Sequence, residues 1–409
     1  MRLNNIRFLV RSATKLNPVE STSSSASVSR QLSSGQVTHQ AHVNTLSNQT
    51  GVYLICSNRI TTSRLLSKSN KSQTNQILPV RTMASNSSSS GFLPFAEGKD
   101  ITFPVSWGHI AGKEYGDPRG HPTLCIHGWL DNLGSFEPII PYLLQGNNLH
   151  IVAIDEPGCG LSSHKPPGSD YNRWSHLKEI KRVIDIMGWK EVTLVGHSLG
   201  AIYSFLFSAV YPELVKRLVT IDIVKPATSI GDNWITRVPR IIEKQLEYDS
   251  YFMNDPTLEA TARVYTYEQA VKKLAEGHGN SLSEEAAEIL MKRGAKKLRD
   301  GWTYTRDIRQ KLPSLDPAPS EKSMLRFMWR IKCDLLVIRA RHGPYHVPET
   351  MRKEYYDIYE RNCRIFQDTL LDGTHHLHMN SPDKVGPVIN KFLERSFRAQ
   401  AGLPPKASL

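Results

Sequence analysis

The chain has 409 residues, 39 % of them hydrophobic, enough for a large buried core in one domain carrying an insertion or in two ordinary domains. Its formal net charge of +12 is mostly local, because residues 1–90 hold ten Lys/Arg against Glu20 alone and leave +3 for the other 319; with no Lys/Arg stripe interleaved with aromatics there, nucleic-acid binding is not expected. Five scattered cysteines (Cys56, Cys125, Cys159, Cys333, Cys363) without a Cys-x-x-Cys pair argue against a disulfide framework or a structural zinc site, and no run of about 18 apolar residues marks a transmembrane span.

Residues 1–90 are rich in Ser, Thr, Asn and Gln, poor in acids and punctuated by arginine, a composition expected of a disordered or targeting leader. Arg2 to Arg11 could form the short basic amphipathic helix of a mitochondrial transit peptide. The alternative is translation from Met83 and a cytoplasmic or peroxisomal/vesicular location; the terminal Ala407-Ser408-Leu409 only loosely resembles a peroxisomal tripeptide, lacking its middle basic residue.

From about Asp100 apolar runs alternate with Gly and Pro. Ile101 to Trp107 and His109 to Tyr115, joined through Gly108, predict an antiparallel hairpin. Thr123 to Ile126, Ile151 to Ile154, Val192 to Val195, Leu218 to Ile221 and Leu335 to Ile338 read as strands buried on both faces. Helical patterns fall between and after them, at Phe136 to Leu144, Trp174 to Met187, Ser198 to Val210 and Lys384 to Phe397. This alternation predicts an α/β fold, a doubly wound and mostly parallel sheet. From Lys225 to about Lys332 no strand is expected, only amphipathic helical stretches such as Glu268 to Ala275, Ser283 to Arg293 and Ser323 to Ile331. An interval of that length is too long for a structureless loop and is read as a helical cap over the carboxyl ends of the strands. The expected organisation is a leader (1–90), a core split between 98–224 and 333–397, a cap (225–332) and a tail (398–409).

Gly196-His197-Ser198-Leu199-Gly200 lies between the run Val192 to Val195 and the apolar helix that follows. Strand, sharp turn and helix would hold Ser198 in a strained conformation at the strand's carboxyl end, beside helix N-terminal amides, as an acyl-transfer nucleophile requires. A tetrahedral oxyanion then needs two backbone donors, one after the nucleophile and one from an earlier loop. Those would be the amides of Leu199 and of Trp129 in His127-Gly128-Trp129. A base must come from further along, where His375, His376 and His378 compete; a metal cluster of these three is the alternative, although no acid at ligand spacing accompanies them.

These motifs, with Trp107 to Gly116, the Asp155 to Ser162 turn and the Gly373 to Pro382 segment, resemble the α/β-hydrolase superfamily. Within it, Tyr267 to Ala270, Leu282 to Glu285, Arg293-Gly294, Arg306-Asp307 and the Ala340 to Gly343 loop are similar to the animal serine hydrolase-like proteins, over about residues 98–396. The superfamily pattern Gly-x-His, with a proline seven residues beyond, implies His375 as base, paired with Pro382. Many members carry the acid after the strand equivalent to Leu335 to Ile338, but here Arg339 to His346 contains no carboxylate. The resemblance to the acid-bearing segment of some haloalkane dehalogenases implies Asp222 instead, with Asp372 as runner-up.

The expected function is therefore that of a serine hydrolase cleaving a carboxylic ester or thioester, with a small-molecule acyl substrate and neither cofactor nor metal. The competing expectation is a non-catalytic fold of the same type, serving as a small-ligand or protein-binding module. Epoxide hydrolysis and dehalogenation are disfavoured, because those reactions put Asp, not Ser, at the elbow.

Overall fold

The computed structural model describes residues 26–32, 35–48, 51–58, 92–229, 233–254, 262–312, 315–316 and 318–404. The chain divides into two compact units, Met1–Ser85 and Asn86–Leu409. The first unit carries three antiparallel strands, Ala26–Leu32, Gly35–Asn48 and Gly51–Asn58. The expected helix at Arg2 to Arg11, Met83 and the last three residues lie outside the described residues.

The second unit is built on eight strands: β1 (Lys99–Val105), β2 (Gly108–Gly116), β3 (His121–Ile126), β4 (Leu149–Ile154), β5 (Val192–His197), β6 (Val215–Ile221), β7 (Asp334–His342) and β8 (Phe366–Thr374). Their spatial order is β1-β2-β4-β3-β5-β6-β7-β8. The hairpin β1–β2 joins antiparallel to β4, and every other pairing is parallel. Every residue of β4 and β5 is buried, the consequence of helices covering both faces.

Alternation along the strands divides the core in two. Leu124, Ile126, Val152, Leu194, Leu218 and Val337 face α1 (Arg173–Ile186), α2 (Leu199–Val210) and α7 (Glu349–Asn362). Cys125, Ile151, Ala153, Val195, Val219 and Leu336 face α8 (Pro382–Gln400). One predicted helix is not continuous: Phe136 to Leu144 is replaced by a 3-10 turn, Leu133–Phe136, and a four-residue helix, Ile140–Leu143. Pro138 and Pro141 explain the break, since each removes an amide and restricts the residue before it.

Between β6 and β7 lie α3 (Asn233–Asn254), α4 (Tyr267–Gly277), α5 (Glu284–Gly294) and α6 (Glu321–Met328). Sequence signals fix their ends: Thr266 and Gln269 form a reciprocal capping box on α4, and the Ser283 and Ser320 hydroxyls cap α5 and α6. The expectation of no strand here is corrected by an antiparallel hairpin, Ala295–Leu298 with Gly301–Tyr304. It is four residues per strand and half exposed, too short for alternation to register. The pair α4–α5 has its own apolar cluster, including Val271, Leu274, Ala287 and Leu290, which reaches the core through Met379. Among the described residues no helix is long and apolar enough to cross a membrane.

Candidate active site

Ser198 occupies the turn between β5 and α2 with φ 50° and ψ −117°, a conformation that costs a side-chain-bearing residue about 1–3 kcal/mol. The turn closes only because its flanking glycines lack a Cβ. One added at Gly200 would lie 2.0 Å from the Ile126 carbonyl oxygen of β3, and one at Gly196 would lie 2.6 Å from Ala201 Cα.

Asp222 follows β6 directly, also at positive φ, 58°. The last residues of β5 and β6, His197 and Ile221, are register partners, so Ser198 and Asp222 emerge side by side at the carboxyl edge of the sheet. The Asp222 amide donates to the Ile338 carbonyl (2.7 Å), and its Oδ1 accepts from the Ala340 amide (2.8 Å), which pins the carboxylate to β7. Gly343 lies against it: a Cβ there would stand 2.2 Å from Oδ2.

His375 follows β8 and joins the two. Its Nε2 is 2.8 Å from Ser198 Oγ and its Nδ1 is 2.6 Å from Asp222 Oδ2. The carboxylate oxygen can only accept, so Nδ1 carries the proton and Nε2 faces the hydroxyl with its lone pair. All three residues are buried, each 7 % exposed, and the Tyr345 ring meets the imidazole edge-on with centroids 5.0 Å apart. Asp372, the other candidate acid, is an exposed residue ion-paired with Arg341 and His342 and does not meet His375.

Leu199 opens α2, so its amide is one that the helix leaves without a carbonyl. Trp129 lies in the loop after β3, next to Leu130 at φ 63°. That loop is anchored by His127, whose Nε2 accepts from the Glu156 amide (2.9 Å) while Nδ1 donates to the Gly128 carbonyl (2.7 Å). Trp129 is 47 % exposed, and its indole donates to the Gln310 carbonyl in the segment between β6 and β7 (2.8 Å). Asp155, fully buried after β4, accepts from the Leu133 and Leu161 amides and receives Arg293 of α5 at 2.9 Å, tying that helix to the sheet.

The sequence singled out three histidines together, and the structure separates them. His375 meets Ser198 and Asp222. His376 turns instead toward Asp131 and Ser281, and His378 packs its ring on His197 (centroids 4.2 Å apart). Asp131, His197 and His278 went unread because Asp131 is remote in sequence from the histidines, and His197 carries no signal beyond its place in the elbow.

A family model described as the alpha/beta hydrolase fold matches residues 122–370. A serine hydrolase-like protein of Danio rerio is 33 % identical over 300 residues, covering 72 % of this chain and 88 % of the relative. Serine hydrolase-like protein 2 of Homo sapiens is 31 % identical, covering 74 % and 96 %. The crystal structure of a hypothetical protein from Pseudomonas aeruginosa PAO1 superposes with a TM-score of 0.63 at 30 % identity, covering 72 % of this chain and 99 % of that one. Fold and relatives together support a hydrolase-type function, and the chain belongs to the α/β-hydrolase family, among the serine hydrolase-like proteins of animals.

Proposed function

We propose that the protein hydrolyses a carboxylic ester or thioester of a small molecule through an acyl-enzyme on Ser198. The observation that carries this reading is the continuous row Ser198 Oγ, His375 imidazole, Asp222 carboxylate, with contacts of 2.8 and 2.6 Å. Nucleophile and base are within transfer distance, and the base is oriented by a third group.

In the forward step the Ser198 oxygen attacks the substrate carbonyl carbon while His375 Nε2 takes the hydroxyl proton. The Asp222 carboxylate holds the proton on Nδ1 and stabilises the imidazolium. The carbonyl oxygen becomes an oxyanion, received by the Trp129 and Leu199 amides. When the tetrahedral adduct collapses, the carbon–oxygen or carbon–sulfur bond breaks and Nε2 returns the proton to the departing alcohol or thiol. Water repeats the sequence on the acyl-serine, releasing the acid and restoring Ser198.

The binding-module reading drew its motive from the loop after β7, which lacks a carboxylate. With Asp222 seated on His375, no specific observation favours it. The test is labelling with a fluorophosphonate probe: wild type should be modified once, and Ser198→Ala should not. Folded wild type that resists the probe would overturn the proposal.

A further inference from the structure

Behind the Ser198–His375–Asp222 row lies a second polar cluster that the hydrolytic chemistry does not use. Its members are Asp131, from the loop after β3; His197, the residue before Ser198; and His376, the residue after His375. Their ligand atoms all lie within 4.8 Å of one another, and all three residues are buried. His278, the C-cap of α4, borders the cluster from the cap.

The distances are not those of hydrogen bonds. Asp131 Oδ2 is 3.5 Å from both His197 Nδ1 and His376 Nε2, and Oδ1 is 3.6 Å from His278 Nε2. Both carboxylate oxygens and His197 Nδ1 are buried with no hydrogen-bond partner. An unpartnered buried carboxylate is costly enough that such groups are normally paired or bind metals.

The outward nitrogens fix the inward ones. His197 Nε2 lies 3.0 Å from the His375 carbonyl, which only accepts, so Nε2 bears the proton. His376 Nδ1 lies 2.8 Å from Ser281 Oγ, whose own proton goes to the His278 carbonyl (2.7 Å), so Nδ1 donates as well. With both rings neutral, His197 Nδ1 and His376 Nε2 present lone pairs to the carboxylate. A proton on His376 would give Asp131 one cation at 3.5 Å and would still leave His197 Nδ1 facing the carboxylate without a donor.

A cation resolves all these contacts together. Tetrahedral coordination with bonds of roughly 2.0–2.1 Å separates neighbouring ligand atoms by roughly 3.4 Å, close to the 3.5 Å from Asp131 Oδ2 to each histidine nitrogen, while the three ligand atoms together lie within 4.8 Å. Imidazole and carboxylate donors suit zinc and neighbouring first-row metals, and histidine ligands whose second nitrogen donates to a carbonyl or hydroxyl are the usual supporting arrangement. Gly128 keeps the space open: a Cβ there would come within 2.8 Å of His197 Nδ1 and 2.9 Å of Asp131 Oδ2.

We propose that Asp131, His197 and His376 bind one divalent metal ion of the zinc type, with the fourth position turned toward His278. Such an ion would clasp the loop after β3, the nucleophile turn, the loop of the base and the cap, without touching the reacting atoms.

The full-length protein, stripped with a chelator and titrated with Co2+, tests this. Wild type should take up about one equivalent with the visible absorption of a four-coordinate site, and Zn2+ should displace it. Asp131→Asn should abolish that absorption. Ser281→Ala touches only the outward nitrogen of His376 and should weaken Co2+ binding by about 10–100-fold, a readout that survives if Asp131→Asn fails to fold. Ser198→Ala should keep the cobalt spectrum, so the metal site stands or falls separately from the hydrolytic reading. Folded wild type that takes up no stoichiometric Co2+, or uptake unchanged in Asp131→Asn and Ser281→Ala, would overturn the proposal.

Discussion

Asp222 accepts the Ala340 amide with one oxygen and the His375 proton with the other, so its position and its chemistry are separate duties of one carboxylate. Asp222→Asn keeps the shape but can favour the wrong imidazole tautomer, and turnover of an ester substrate should fall by about 10^4-fold with the fold intact. Gly343→Ala should misplace the same carboxylate by crowding Oδ2, lowering kcat by about 10^2-fold while the thermal midpoint moves little. Circular dichroism melts beside a p-nitrophenyl ester assay would separate the two effects, and a Gly343→Ala variant with normal kcat would show that the carboxylate can retreat. At this scale the sequence was unevenly legible. Ser198 announces itself through glycine spacing, because the close approach to β3 demands glycine. His375 and Asp222 were reached through family resemblance, since neither has a local requirement as sharp. Asp131 could not be read at all: its partners come from the elbow, the cap and the C-terminal loop, and only folding brings them together.

Elements that carry a strong period or a cap were legible close to their ends. The strands β3 to β7 and the helices α1, α2, α4 and α5 have continuous apolar runs or capping residues, and the bounds differ from expectation by a few residues. The 133–144 stretch and the short hairpin at 295–304 depart from the periodicity because turn chemistry and a four-residue pairing outweigh it there. Attachment of the segment between β6 and β7 is an element-scale property, and Arg293 of α5 on Asp155 after β4 is one of its buried contacts, beside Asn132 on the Leu290 carbonyl and Tyr171 on Asp307. Arg293→Met would leave the fully buried Asp155 carboxyl with backbone amides alone. It should cost about 3–5 kcal/mol of unfolding free energy in a urea titration, whereas breaking the exposed Lys181–Asp185 pair with Lys181→Ala should cost at most about 1 kcal/mol. Equal losses in the two variants would mean that the buried pair has no special weight.

For the whole molecule, the three apolar clusters among the described residues draw only on the Asn86–Leu409 unit, which therefore holds a core of its own. A chain starting at Asn86 should melt cooperatively at the same temperature as the full chain and take the fluorophosphonate label equally; loss of a cooperative melt would assign residues 1–85 a stabilising part. The side-by-side exit of Ser198 and Asp222 from β5 and β6 bears on the order in which activity is assembled during folding. Their relative position is a product of one parallel ladder, complete as soon as those neighbouring strands align. His375 is separated from that ladder by the whole segment between β6 and β7 and by two further strands, so its arrival closes a much longer loop and is entropically the more costly step. Ser198 and Asp222 are thus a local inheritance of the sheet, while His375 is the part whose docking reports that the last strands have joined it.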